Sequence, residues 1–235
     1  MFWVAAGMSL LFFIVKKGGK KLQSLIVIYD KNHANKGTLS YLSAIKKTIK
    51  NYVVVDIEDL DGYDIKDGNK VLVLKPMSKE NEKKIKDLYK DNPSLDVEGQ
   101  WTSKFTTTAA AILEILQNMF KDKRVKVAII NQSETLGLPL AKKMLDLGYG
   151  VLSFNTLSTV FEIEKTLSIY NPDIIITATG NDNFSISVKD DVPVIDLSND
   201  VKREENVIRH IPTVHVLKNR LEPKLENHAN ASYDK

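Results

Sequence analysis

Apolar residues along this chain fall into short β-branched runs separated by stretches of helical period. The clearest unit is Val125 to Leu147, VKVAIINQSETLGLPLAKKMLDL. The run VKVAII predicts a strand, the polar Asn131 to Pro139 a turn, and Leu140, Met144 and Leu147 one face of a helix. A second unit follows at once, with Val151 to Phe154 as a strand and Thr159 to Ile169 as a helix, then two more strands at Asp173 to Thr179 and Val194 to Leu197. Upstream, LIVIY at 25–29 is a buried-type strand, and Leu39, Leu42, Ile45 and Ile49 mark one face of a helix ending near Asn51. VVVDI at 53–57 and VLVL at 71–74 read as strands on either side of a DLDGYD turn, Lys79 to Tyr89 as a charged helix, and Thr108 to Met119 as an alanine-rich helix. Strands alternating with helices predict an α/β protein whose parallel sheets are covered on both faces. Ligands on such sheets bind at the carboxyl ends of the strands, where the turn at 131–139 lies.

Composition changes this picture little. With 43% apolar and 27% charged residues, a chain of 235 residues can bury one large core or two modest ones. The 33 basic and 30 acidic side chains leave a net charge of only +3, and lysines alternate with acids in stretches such as KENEKKIKDLYKD, so no nucleic-acid partner is expected. The absence of cysteine excludes disulfides, thiolate catalysis and thiolate-bound zinc, and fits a reducing compartment. His33, His210, His215 and His228 have no metal-ligand spacing, so no metal is expected.

The chain ends read differently. Residues 1–24 form a hydrophobic N-terminal segment whose first fifteen, MFWVAAGMSLLFFIV, carry no charge and precede KKGGKK. Three readings stand: a docked helix or strand, a short membrane anchor through residues 2–15, or a cleaved signal. The run is shorter than the roughly 20 residues of a spanning helix, and no basic residues precede it as they would in a signal. Lysines after an anchor would leave the folded part in the cytoplasm, so a cytoplasmic, or membrane-tethered cytoplasmic, location is expected. Residues 213–235 read as a return segment and tail, with Arg220 to Lys235 as a frayed end.

Four segments in order carry a family resemblance. NQSETLGLP at 131–139 resembles the G-R-S-x-x-V-G-x-P turn of the bifunctional methylenetetrahydrofolate dehydrogenase/methenyltetrahydrofolate cyclohydrolases. VLSFNTLS at 151–158 is similar to that family's V-T-x-x-H-S-x-T, PDIIITATG at 172–180 to A-D-I-V-I-x-A-x-G, and VIDLS at 194–198 to V-I-D-V-G. Fainter similarity links TLSYLSAIKK at 38–47 to S-x-x-Y-V-x-x-K, VLKPMS at 73–78 to V-Q-L-P-L-P, LDVEGQ at 95–100 to K-D-V-D-G-F, and FTTTAA at 105–110 to P-C-T-P-x-G.

The resemblance implies two domains with a cleft between them: a folate-binding, catalytic-type α/β domain over 25–120 and a Rossmann-like NAD(P)-binding domain over 121–212. It implies oxidation of 5,10-methylenetetrahydrofolate with a nicotinamide cofactor, hydrolysis of the methenyl product to 10-formyltetrahydrofolate, or one of the two, in a homodimer. Tyr41 and Lys46 are the implied catalytic residues, Asp96 and Glu98 the implied substrate-binding carboxylates, and Gln132, Ser133, Gly137, Asn155 and Gly180 the implied cofactor contacts. The departures are specific. Ile45 occupies the place of the family's lysine, which puts Lys46 about 100° round the helix. Leu74 stands for its glutamine, and neutral Gln132 for the arginine that answers a ribose 2′-phosphate, so NAD is slightly favoured over NADP. The family's P-V-P-G-G-V-G-P-M-T loop is replaced by glycine-free IPTVHVLKNRLEP. A catalytically reduced relative serving as a binding protein is therefore the alternative, as is a Rossmann-type binder similar only in architecture.

Overall fold

The computed structural model describes residues 24–222, apart from 67, 103, 104 and 122–124. The N-terminal hydrophobic segment lies outside the described residues. The first half builds a parallel sheet from β1 (Leu25–Tyr29), β2 (Tyr52–Asp56) and β3 (Lys70–Val73), in the order β2-β1-β3. The second builds a five-stranded parallel sheet from β4 (Lys126–Ile130), β5 (Gly150–Phe154), β6 (Ile174–Thr177), β7 (Val194–Asp196) and β8 (Val207–Ile208), in the order β5-β4-β6-β7-β8. The expected α/β class, with two parallel sheets, is the observed one.

Each sheet is apolar on both faces because successive side chains of a strand point to opposite sides. In the first sheet Leu25 and Val27 pack with Leu42 and Ile45 of α1 (Lys36–Thr48) and with Ile49 just past it, while Ile26 and Ile28 pack with Ile85 and Tyr89 of α2 (Lys79–Asp91). In the second, Val127 and Ile129 meet Ile112 and Leu116 of α3 (Thr107–Phe120) and Leu140 and Met144 of α4 (Gly137–Asp146). Ala128 and Ile130 meet Ile163 and Leu167 of α5 (Val160–Tyr170) on the other face. The expected helix faces are trimmed at their ends: Leu39 is 55% exposed, and Leu147 falls just past α4.

Three local differences from the sequence reading have plain causes. The first four residues of the DLDGYD stretch end a 3-10 helix, Ile57–Gly62, capped by the Asp56 carboxylate, with Tyr63 as its C-cap. The two-residue β8 is too short to show a period. The expected frayed end begins too early: α6 (Thr213–Leu221) includes Arg220 and Leu221, and its Leu217 and Leu221 close the core of the first sheet beside Ile45 and Leu72. The C-terminal helix thus returns across the molecule to α1 and α3.

Candidate functional site

At the carboxyl ends of the first sheet, α1, the end of β3 and the loops that follow line a cavity of about 210 Å³. Its walls carry Tyr41, Lys75, Glu98 and Gln100, with Leu74 as an apolar neighbour. Local bonds hold the strand ends that shape it. Asn35 and Thr38 form a capping box at the start of α1, and the Thr38 hydroxyl also donates to the Lys75 carbonyl at 2.8 Å. The Lys75–Pro76 peptide is cis. Asp30, buried at the end of β1, accepts from Asn32 N at 3.0 Å, Ser78 N at 3.2 Å and Asn81 Nδ2 at 3.0 Å, and faces His33 Nδ1 at 2.9 Å. Burial works to raise its pKa, but the bonds from Asn81, His33 and Ser78 outweigh that and hold it at about 2.

Lys75 projects from the end of β3 with its ammonium 4.5 Å from the centre of the Trp101 ring and 3.4 Å from Glu82 Oε1. Glu98 lies across the cavity, its Oε1 accepting from the Thr107 hydroxyl at 3.5 Å. Burial pushes its pKa up and the Asp96 charge adds to the push. Thr107, Arg220 and Lys75 oppose them only in part, leaving it at about 7. The Tyr41 hydroxyl is shielded from solvent and lies near the Thr107 side chain without completing a hydrogen bond to it. Burial, then the Glu98 charge, push its ionisation above the usual tyrosine range, so it remains a neutral donor.

The Glu98 shift has a sign that stability measurements can read. Its folded pKa of about 7 exceeds the ordinary 4.5, so between these values the folded protein binds more protons than the unfolded chain. Stability should therefore fall as pH rises through that window, and Glu98→Gln should flatten this part of the profile and be the more stable form above pH 7. Urea unfolding across the window is the measurement; a profile that is the same in both proteins would remove the buried titration.

Two of the expected folate-side residues do other things. The Asp96 carboxylate is buried and accepts from Gly99 N at 2.8 Å, from Trp101 N, Thr102 N and the Thr102 hydroxyl each at 2.9 Å. It shapes the loop that presents Glu98, and both of its oxygens are engaged in that loop. Arg220 holds the same loop from α6, donating to the carbonyls of Val97 at 3.0 Å, Glu98 at 2.9 Å and Phe105 at 2.6 Å. Lys46 stays outside the cavity. Helix α1 is regular, Ile45 is fully buried, and the next residue round the helix faces solvent. The signals for Lys75 and Gln100 were present in VLKPMS and LDVEGQ, as polar residues at positions the family's pattern leaves apolar.

A second cleft, of about 620 Å³, opens at the carboxyl ends of β4, β5 and β6. Gln132, Ser133 and Asn155 line it, joined by Asn131, Thr156, Thr179 and Asn181, and among the described residues no charged side chain does. Gln132 Nε2 donates to the Ser153 hydroxyl at 3.2 Å, and the Asn155 side chain accepts from Leu157 N at 2.9 Å. Asn131 is the keystone: Oδ1 accepts from Ser133 N at 2.8 Å and Gly137 N at 3.0 Å while Nδ2 donates to Ala178 O at 2.6 Å, tying β4 to α4 and β6. Gly137 and Gly180 act through the backbone. A Cβ on Gly137 would sit 1.9 Å from Asn131 O, and Gly180 has a φ of +63° with its N–H donating to the Ser198 hydroxyl at 3.0 Å.

Two parallel sheets of three and five strands, each with a cavity at the carboxyl ends of its strands, give this chain the fold of the methylenetetrahydrofolate dehydrogenases/cyclohydrolases. The bifunctional enzyme of Campylobacter jejuni is 18% identical, with 85% of this chain and 87% of that one covered at a TM-score of 0.61. A 5,10-methylenetetrahydrofolate dehydrogenase of the silkworm, Bombyx mori, is 20% identical over 87% of each chain at a TM-score of 0.63. The Trypanosoma brucei dehydrogenase-cyclohydrolase, solved with NADP and an inhibitor, is 16% identical over 86% of each chain at a TM-score of 0.63. No protein-family model and no curated protein sequence matches the chain. Among the described residues, no helix is long and apolar enough to cross a membrane.

Proposed function

We propose that the protein binds a reduced folate at the cavity beside the first sheet and hydrolyses 5,10-methenyltetrahydrofolate to 10-formyltetrahydrofolate, with oxidation of the 5,10-methylene form when a nicotinamide dinucleotide occupies the second cleft. One observation carries this reading: Tyr41, Lys75, Gln100 and Glu98 converge on one small cavity. A phenol, an amine, an amide and a carboxylate are the groups the resemblance expects there, although two of them arrive from other positions. The unpartnered Tyr41 hydroxyl fits as well, since a buried donor without an acceptor is costly unless a ligand supplies one.

In this assignment the ionised Glu98 accepts the paired N–H donors of the pterin ring, a charge-assisted interaction. Lys75 and Gln100 hold the attacking water against the one-carbon bridge. The Lys75 ammonium gives a proton to the ring nitrogen when the carbon–nitrogen bond breaks and regains one from the hydroxyl of the adduct as the formyl group forms, while the proton that water loses on attack passes to solvent. Leu74 and Trp101 limit competing water. The second cleft suits a dinucleotide in volume, within the usual range of about 300–1,000 Å³, and in its position at the strand ends. Gln132, Ser133 and Asn155 would hold the cofactor, which when bound supplies the hydride acceptor.

Titration of the protein with 5,10-methenyltetrahydrofolate, together with a hydrolysis assay, tests the reading; absence of both binding and turnover would sink it. The uncharged lining of the second cleft also sets cofactor choice. With Gln132 where a phosphate-reading arginine would stand, NAD should bind at least as tightly as NADP. Calorimetry showing NADP clearly tighter would refute that assignment.

A further inference from the structure

The two ends of the first sheet differ in charge. In a unit of parallel strands each connecting helix runs back against them, so the carboxyl ends of the helices lie at the amino ends of the strands. At the carboxyl ends of the strands, lysines are answered by acids: Lys31 stands 3.1 Å from Asp56 and 3.5 Å from Glu58, and Lys75 3.4 Å from Glu82. The amino ends lack this balance. No aspartate or glutamate occurs between Asp30 and Asp56, so α1 closes on Lys46 and Lys47 with Lys50 just past it, and all three residues are exposed. None of the three makes a side-chain hydrogen bond or ion pair among the described residues. On the other flank Lys66 and Lys70 share a turn with Asp64 and Asp67, so the excess of positive charge lies with α1.

The chain enters the fold at this same end. The Ser24 hydroxyl accepts from Asn51 Nδ2 at 3.1 Å, and Leu25 N donates to the Asn51 carbonyl at 3.1 Å, which pins the start of β1 beside Lys50. Upstream in sequence stand Lys16, Lys17, Lys20 and Lys21, again without an acid, and before them the uncharged run from Phe2 to Val15. At the helical rise a run of this length reaches about 21 Å, against a hydrocarbon core of roughly 30 Å. Apolar insertion of that extent holds a protein reversibly, and stable attachment takes a second signal such as a basic patch.

We propose that the end of α1 and the segment KKGGKK together form a docking surface for an anionic phospholipid bilayer, with the run from Phe2 to Val15 entering the bilayer and the carboxyl ends of the first sheet turned away from it. The orientation follows from the charge asymmetry. A negative surface attracts the unanswered Lys46, Lys47 and Lys50 and finds Lys31 and Lys75 at the opposite end already paired. Because the lysines are exposed, their contribution is screened by salt. The proposal goes beyond the folate reading and does not depend on it.

The experiment is flotation of the full chain with vesicles of phosphatidylcholine alone and of phosphatidylcholine containing phosphatidylserine, at low and at high ionic strength. Anionic vesicles should be bound at least about tenfold more tightly at low salt, and that ratio should shrink at high salt. Each lysine held near such a surface contributes roughly fivefold, so the triple variant Lys46→Gln/Lys47→Gln/Lys50→Gln should lose at least about tenfold on the anionic vesicles. Orientation is read separately. The chain has no cysteine, so Thr48→Cys beside the lysines and Lys79→Cys at the start of α2, both at exposed positions, each accept one polarity-sensitive dye. The dye at position 48 should shift to the blue on anionic vesicles and the dye at position 79 should not. Equal binding to the two kinds of vesicle, or full affinity in the triple variant, would leave an apolar anchor without a basic docking surface and overturn the proposal. A shift at position 79 in place of 48 overturns the orientation, and absence of binding to either vesicle overturns the whole.

Discussion

Lys75→Gln is expected to lower the rate of methenyltetrahydrofolate hydrolysis by at least about a hundredfold, the usual scale for a positioned proton-transfer group. The loss should fall on kcat more than on KM, since Glu98 and Tyr41 would still hold the substrate. Stability should change little. The Lys75 side chain is 40% exposed, and its ion pair with Glu82 lies at the surface, where such pairs contribute about 0–1 kcal/mol. A purely structural lysine would show the reverse pattern, a lower melting temperature with kcat retained. Unchanged hydrolysis in a folded Lys75→Gln protein would mean that the amine of this site is not Lys75.

Gly137→Ala carries the largest expected effect on the fold. The added methyl would lie 1.9 Å from the Asn131 carbonyl oxygen and 2.6 Å from its side-chain oxygen, far inside any contact distance. The obstacle is backbone, which no rotamer change can relieve, so α4 must move away from the end of β4. That movement breaks the bond from Gly137 N to Asn131 Oδ1 and unpacks Leu140 and Met144, both fully buried. Overpacking of this severity costs about 3 kcal/mol or more, so the melting temperature should fall by roughly 10 °C or the protein should fail to fold. Gly180→Ala is the informative comparison: a Cβ there meets nothing within 4 Å, so its penalty is only that of a left-handed backbone at a φ of +63°. Equal melting temperatures for the two variants would contradict the close approach at Gly137.

The two glycines also show why motif matching and side-chain chemistry part company. Both positions were legible as expected cofactor contacts, yet neither lines the second cleft; Gly137 serves helix packing, and Gly180 turns the chain between Thr179 and Asn181, which do line it. A glycine in a motif reports a backbone demand. Only the packed structure says whether a ligand or another stretch of chain makes that demand.

Much of the fold could be read in one dimension because it rests on local periodicity. The runs LIVIY, KVAII and DIIIT are strands apolar on both faces, which is what a parallel sheet under two helix layers requires, and strands separated by helices leave few other topologies. The stripe of Leu42, Ile45 and Ile49 already committed one face of α1 to the core, and with it the solvent-facing direction of Lys46. What the chain order could not reveal was which distant segments meet. Arg220 reaches the carbonyl of Val97 across 123 residues, a contact with no local signature, and it makes an ordered helix of a stretch whose composition suggests a tail. Lys75, Gln100 and Glu98 come from a strand end and a loop whose path is set by the buried Asp96 and by α6. Their convergence with Tyr41 is a property of tertiary packing, because side chains far apart in sequence share a cavity only once the backbone between them has been fixed by burial and hydrogen bonding.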